Sequence, residues 1–345
     1  MSQLLLMLSL FSVSRTFTIR VFANFTPTEV TVSSGEGTHT IKASGNSILV
    51  DGKEESYYQA IGEKRYYLTA GDVKRSYAGG FTFFASGGEL FIINYVPEQT
   101  YLASVVTSEM PDGGIEARKA QAILARTYAY KHMGNHDAGY ELLDSQLSQV
   151  YRGLAADQGA VKAVEETEGL VLGYKGKVAD IYYHSTCGGM TILPSDLWRG
   201  SKNEPYHRRV VDTLCSASPL YTWEDTFYLD TISQLLNLPS IPDSIHLVRD
   251  TAMLPAKGFV FFAPREIKFE YRTAVDAWDH RPKTRRFDIE IEGNLLLIHG
   301  HGYGHGVGMC QYGAMGMAKR GDNYRDILSH YFPGTQIMAV SRLGK

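Results

Sequence analysis

Cysteine is nearly absent from this chain of 345 residues: Cys187, Cys215 and Cys310 are all it has. Three thiols exclude a dense disulfide framework, and an odd number leaves at least one unpaired or metal-bound. Long apolar runs are missing too. The one candidate, residues 4–13, is too short to cross a bilayer as a helix but has the length of a secretory h-region. Ser12 and Ser14 offer small residues for a cleavage site, yet no Lys or Arg precedes the run. A signal peptide over 1–14 and a buried first strand both stay open. Charge of one sign is also lacking: 34 basic and 37 acidic residues are interspersed, for a net charge of -3. No global basic field exists to capture nucleic acid or anionic lipid, so no nucleic-acid partner is expected. There is no internal repeat and no low-complexity linker.

Between residues 17 and 95 apolar and polar positions alternate in short runs, such as Glu29-Val-Thr-Val and Ser47-Ile-Leu-Val, broken by Gly- and Asn-bearing turns. A period of two with β-branched residues predicts half-buried strands. The pattern stops at Val96-Pro97. Residues 115–133 are strong helix formers, with Ala117, Ala120, Leu124, Tyr128 and Lys131 in one stripe and Arg118 and Lys119 off it. A long helix is expected there, entered from the Asp112-Gly-Gly turn. Shorter helices are expected over 160–168, 311–319 and 324–331, a hairpin over 170–174 and 178–183, and one strand over 287–298. The proline-punctuated stretch 198–282, with short helices near 232–236 and 264–270, reads as an inserted lobe. The expected class is α+β: an N-terminal β-rich unit over 15–96, then a mixed catalytic core over 97–345 whose long helix lies beside the active-site cleft.

Gly-x-Ser-x-Gly, His-Glu-x-x-His and a phosphate-binding glycine loop with its Lys are all missing, so serine hydrolase, zincin and P-loop chemistry lack their signatures. Four other segments stand out. The first is Tyr101-Leu-Ala-Ser-Val-Val-Thr-Ser-Glu109-Met-Pro, followed by Glu116-Ala-Arg-Lys-Ala-Gln-Ala-Ile-Leu-Ala-Arg-Thr-Tyr-Ala. The second is Gln149-Val-Tyr-Arg-Gly153, and the third Tyr183-His-Ser-Thr-Cys-Gly-Gly-Met-Thr191. The fourth is Gly302-Tyr-Gly-His-Gly-Val-Gly-Met-Cys-Gln-Tyr-Gly-Ala314 with Tyr331-Phe-Pro-Gly-Thr335. In order and spacing they resemble the signature of the stage II sporulation protein D family, over roughly 95–335 apart from the lobe. Asp112-Gly-Gly-Ile departs from it, standing where that family usually has Trp-Pro, and Cys310 stands where it usually has Ser.

The resemblance implies a lytic transglycosylase that cuts peptidoglycan between N-acetylmuramic acid and N-acetylglucosamine and leaves a 1,6-anhydro end. Its substrate would be glycan strands stripped of stem peptides, its location the periplasm or cell envelope, and a cell-wall amidase would be a further partner. Glu109 would be the acid and then the base. A carboxyl among apolar neighbours can hold a proton near neutral pH, and the sugar's own C6 hydroxyl replaces the second carboxylate that most glycosidases need. Read without the resemblance, Glu109 is a carboxylate capping or pairing with the following helix. Arg126 and Gln121 would hold N-acetyl or hydroxyl groups, although helix surfaces carry such residues routinely. Gln149, Tyr151, His184, Ser185, His305, Gln311 and Tyr312 fall in segments that the resemblance places in the substrate cleft. A non-catalytic wall-binding protein that recruits an amidase is the rival class.

No cofactor is required for the expected reaction. His184-x-x-Cys187 with Cys215 downstream offers zinc an imidazole and two thiolates, for a structural site. A Cys187-Cys215 disulfide and inert thiols are the competing readings. His299, His301 and His305 alternate with glycines, a pattern suited to a tight turn or to substrate contact through ring nitrogens. The glycines from Gly300 to Gly306 would let backbone approach a bulky glycan.

Overall fold

Period-two alternation in the first hundred residues becomes two sheets. In the strand Gly80–Ser86 the residues Phe81, Phe83 and Ala85 point inward while their neighbours do not, as the pleat requires. Its sheet runs Leu142–Leu143, Thr16–Arg20, Glu89–Pro97, Gly80–Ser86 and Tyr57–Ala60, antiparallel except for the short first strand. A six-stranded antiparallel sheet beside it in sequence carries Glu29–Ser34, Gly37–Ser44 and Tyr66–Ala70 at its middle. The class is α+β, as expected. This computed structural model describes residues 15–134, 139–146, 148–154, 157–251, 254–263, 265–277 and 282–343. The apolar run at 4–13 and the cleavage site after it lie outside the described residues.

By compactness the chain forms two units. One takes the residues up to Pro111 together with Ala129–Glu168; the other takes Asp112–Tyr128 and Gly169–Lys345. In the first, the strand Glu89–Pro97 passes directly into helix α1 (Glu98–Glu109), whose residues Tyr101 to Val106 are all buried. Helix α2 (Ile115–His132) begins where the sequence places it. Its burial, though, is not a stripe: Ala117, Arg118 and every residue from Ala120 to Thr127 are buried, because a helix enclosed on all sides has no solvent face to carry the polar residues. Helix α3 (Gln158–Glu165) starts two residues before expectation, since Asp157 caps it by accepting from Gly159 and Ala160 N–H.

In the second unit the strand Leu170–Tyr174 pairs with Lys177–Val178 and Gln336–Ala339. The hairpin partner is shorter than expected, because the chain leaves it after Val178 and Tyr183–His184 pairs instead, in parallel, with Met309–Cys310. Helices Gln311–Arg320 and Tyr324–Tyr331 match their expected positions to within a residue. Two expectations in and after the lobe fail. The strand expected over 287–298 is a hairpin, Phe287–Glu292 with Leu295–His301, and Gly293 at φ 60 makes the turn. Residues 266–270 form a strand against Gly258–Phe262 rather than a helix, since charged and apolar residues alternate there, and the helix begins at Tyr271. One buried cluster, including Trp223, Phe259, Phe261, Phe287, Leu296 and Ile298, gives this region its own core. No helix among the described residues is long and apolar enough to cross a membrane.

Candidate functional site

Helix α1 stops at Glu109 because Pro111 disfavours helical geometry at the residue before it. The negative end of the helix dipole therefore faces Glu109, and no basic residue sits in the last turn. A carboxylate gains no helix stability there, which counts against a capping role for it on α1. Glu109 is half-buried, and its Oε1 accepts a hydrogen bond from Val150 N–H at 3.0 Å. Val150 belongs to the Gln149-Val-Tyr-Arg-Gly segment, which is tied to the unit at every step. Tyr101 hydroxyl donates to Gln149 Oε1 at 3.0 Å, Tyr151 hydroxyl to Asn94 Oδ1 at 2.8 Å, and Arg152 N–H to Ser104 Oγ at 3.2 Å. Gly153, at φ 86, lies so close to the Ser76 carbonyl that a Cβ would sit 2.1 Å from its oxygen. Gln149 and Tyr151 are buried, and their polar ends bond within the unit.

In the second unit the other candidates come together around α2 and the glycine loop. Arg126 is fully buried and donates to the Leu170 carbonyl at 3.1 Å. Gln121, also fully buried, accepts from Gln311 Nε2 at 3.5 Å. Tyr312 N–H donates to the Ser185 carbonyl at 3.1 Å, linking the third and fourth segments. Glu116, the second carboxylate in the first segment, is engaged by Lys119 at 2.8 Å and by Tyr324 N–H at 2.9 Å.

The glycines of the loop let it pack closely against the chain itself. Gly302, Gly304, Gly306 and Gly308 all have positive φ. A Cβ at Gly302 would meet the Thr186 carbonyl oxygen at 2.4 Å, and one at Gly308 would meet that of Tyr182 at 2.1 Å. The close approach is to the chain's own backbone, and it seats the loop on the His184 segment.

The His184 and His305 rings lie 5.5 Å apart and tilted, with Trp198 5.5 Å and Tyr182 6.4 Å from the His305 ring. Burial pushes the His184 imidazole down to about 3 and that of His305 down to about 4, so both are neutral at pH 7. His305 Nδ1 accepts from Val307 N–H at 3.1 Å. A stability consequence follows for His305. The unfolded chain, with an ordinary imidazole near 6.5, binds more protons below that pH than the folded one, so stability present above pH 6.5 is lost as pH falls toward 4. The loss is about 2 kcal/mol at pH 5. Urea unfolding of the wild type and His305→Asn across pH 7.5 to 4.5 measures it; the variant should show a correspondingly smaller loss, and parallel curves would refute the effect.

Cys187, Cys215 and Cys310 are buried free thiols, and with Asp212 they put one sulfur or oxygen atom each within 4.8 Å of all the others. This buried set has the composition to hold a metal ion such as zinc. It corrects the expected ligands: Asp212 and Cys310 stand with Cys187 and Cys215, and His184 is not in the set, its Nδ1 lying 3.0 Å from the Val307 carbonyl. Asp212 and Cys310 were missed. The Asp212-Thr-Leu-Cys215 spacing was the local signal for the first. The Cys187 and Cys215 sulfurs are 3.5 Å apart, unbonded. Cys215 is held low by the thiols of Cys187 and Cys310 and by the N–H groups of Gly189 and Gly188, while its sulfur pushes the Cys187 thiol up.

A stage II sporulation protein profile matches residues 86–174. The chain is similar to the stage II sporulation protein D of Bacillus amyloliquefaciens, 30% identical over 264 residues that make up 71% of this chain and 75% of the relative. It is 29% identical over 277 residues to an uncharacterized protein of Brachyspira hyodysenteriae, covering 78% of this chain and 74% of that one. It is also 28% identical over 293 residues to the amidase enhancer of Bacillus subtilis, covering 68% of this chain but 40% of that protein.

Proposed function

The chain belongs to the stage II sporulation protein D family, and from that premise we propose that it is an exported lytic transglycosylase acting on the glycan strands of peptidoglycan. The observation that carries this reading is Glu109: a half-buried carboxyl in the Glu-Met-Pro segment at the end of α1, accepting from the Val150 amide. Glu116, engaged by Lys119 and Tyr324, is not available as a second acid or base.

In this mechanism the Glu109 carboxyl donates its proton to the bridging oxygen as the bond from muramic acid C1 to that oxygen breaks. The electron pair leaves with the N-acetylglucosamine hydroxyl. The C6 hydroxyl of the same muramic acid then bonds to C1, and its proton returns to the Glu109 carboxylate. No water is consumed, so the product carries a 1,6-anhydro end. Mass spectrometry of fragments released from amidase-treated sacculi tests this: anhydro ends are expected, whereas new reducing ends would mean hydrolysis and overturn the assignment.

The amidase enhancer among the relatives supports a cell-wall amidase as a partner, and an amidase would leave glycan strands stripped of peptides. An amidase would then supply the strands this chain cuts. A wall-binding role without catalysis is the second reading, and it predicts amidase stimulation with no anhydro product.

A further inference from the structure

Buried charges in the second unit do not balance within their own neighbourhoods. Asp212 is 3% exposed, and its carboxylate meets Tyr331 hydroxyl at 2.8 Å and Leu214 N–H at 3.0 Å, with no ion pair to Lys, Arg or His among the described residues. Arg286 is mostly buried and has no carboxylate partner among the described residues either. It donates to the carbonyls of Cys187 at 2.6 Å and Met190 at 2.7 Å, while its buried Nε bonds nothing. A buried anion and a buried cation thus flank the same short segment, the Cys187 loop.

We propose that Cys187, Asp212, Cys215 and Cys310 bind one zinc ion, that the ion is structural, and that Arg286 is its counter-charge. The distances suit the ion. Tetrahedral zinc with Zn–S bonds of about 2.3 Å needs sulfurs about 3.8 Å apart; Cys187 Sγ lies 3.5 Å from Cys215 Sγ and 3.5 Å from Asp212 Oδ2. Four protein ligands leave no open position for a substrate or water, which is the pattern of a structural site. The outer contacts are also those of a metal–thiolate centre. Cys310 Sγ accepts from Cys187 N–H at 3.2 Å and from Gly313 N–H at 3.3 Å. Three thiolates and a carboxylate around a divalent ion leave a surplus of about two negative charges, and a guanidinium that stays protonated offsets one of them.

A disulfide between Cys187 and Cys215 would explain less. It would leave Cys310 without a partner and the Asp212 carboxylate against neutral sulfur. The ion instead joins three parts of the chain that sequence keeps apart. These are the His184-Ser-Thr-Cys187 loop, the segment from Asp212 to Cys215, and the start of helix Gln311–Arg320, which Cys310 caps through Gly313 N–H. The candidate residues Ser185, Gln311 and Tyr312 are all adjacent to these ties.

The experiment uses the full chain purified without chelator. Elemental analysis should find one zinc per chain. Cobalt exchanged into the site should give the intense near-ultraviolet sulfur-to-metal absorption and visible bands of a tetrahedral ion. Cys310→Ser keeps a helix-capping oxygen but removes a thiolate, so the sulfur-to-metal absorption should fall by about a third. Arg286→Met should weaken metal binding about 10- to 100-fold in competition with a chelator, and Arg286→Lys should restore it. Metal-free protein with a Cys187-Cys215 disulfide in its intact mass would overturn the site. Cobalt bands unchanged by Cys310→Ser would remove that ligand, and unchanged affinity in a folded Arg286→Met would remove the counter-charge. If Arg286→Met does not fold, Arg286→Lys binding as tightly as wild type supports the charge role, and Lys binding no better than a neutral Arg286→Gln overturns it.

Discussion

Glu109→Gln is expected to lower the rate of anhydro-product release by about two to four powers of ten, about 3–5 kcal/mol of barrier. The amide keeps the size of the side chain, and its oxygen can still accept from Val150 N–H, so that tie to the Gln149 segment is kept. What it lacks is a proton to give. Because the substitution removes the acid without removing surface, glycan strands should still co-sediment with the variant about as well as with wild type. Fragment release from amidase-treated sacculi, read by mass spectrometry, measures the rate. Wild-type rates of anhydro product from Glu109→Gln would take this residue out of the mechanism; lost binding together with lost rate would recast it as a binding group.

Gly308→Ala is expected to destabilise the second unit by about 4 kcal/mol. Part of the cost is conformational: φ is 75, a region that costs a residue with a Cβ about 1–2 kcal/mol. The larger part is contact. The new methyl would lie 2.1 Å from the Tyr182 carbonyl oxygen and 2.7 Å from its carbon, so the loop or the strand must move. That same carbonyl accepts from Met309 N–H at 3.0 Å, next to the pairing of Tyr183–His184 with Met309–Cys310. Gly321 supplies the control. It has φ 107 with nothing within 4 Å of a built Cβ, so Gly321→Ala pays the backbone cost alone. Urea unfolding of both variants separates the two contributions, and equal losses would show that the approach to Tyr182 has no energetic weight.

Different physical signals explain what the sequence revealed. Helix α2 was legible from its run of helix formers, although its neighbours bury it on every side and the apparent stripe meant nothing. Helix α1 was harder to delimit for a related reason: Tyr-Leu-Ala-Ser-Val-Val is enclosed all round and carries no period. The hairpin over 287–301 looked like one strand because a two-residue turn preserves the alternation that marks a strand. The metal set failed at its long-range members. His184 and Cys187 have suitable spacing along the chain, but Cys310 lies 123 residues from Cys187 and joins it only in the fold. Glu109 could be named from its motif, whereas the amide that holds it could not.

That amide has a bearing on how relatives of this chain are compared. One group that holds the carboxyl is a peptide N–H, which every residue except proline supplies, and the side chains that fix the peptide are those of Tyr101, Asn94 and Ser104 together with the missing side chain of Gly153. Any side chain but that of proline at position 150 therefore keeps this hydrogen bond to Glu109. The placement of the Glu109 carboxyl thus depends on residues that never touch it, and a comparison of residue types at position 150 would miss that dependence.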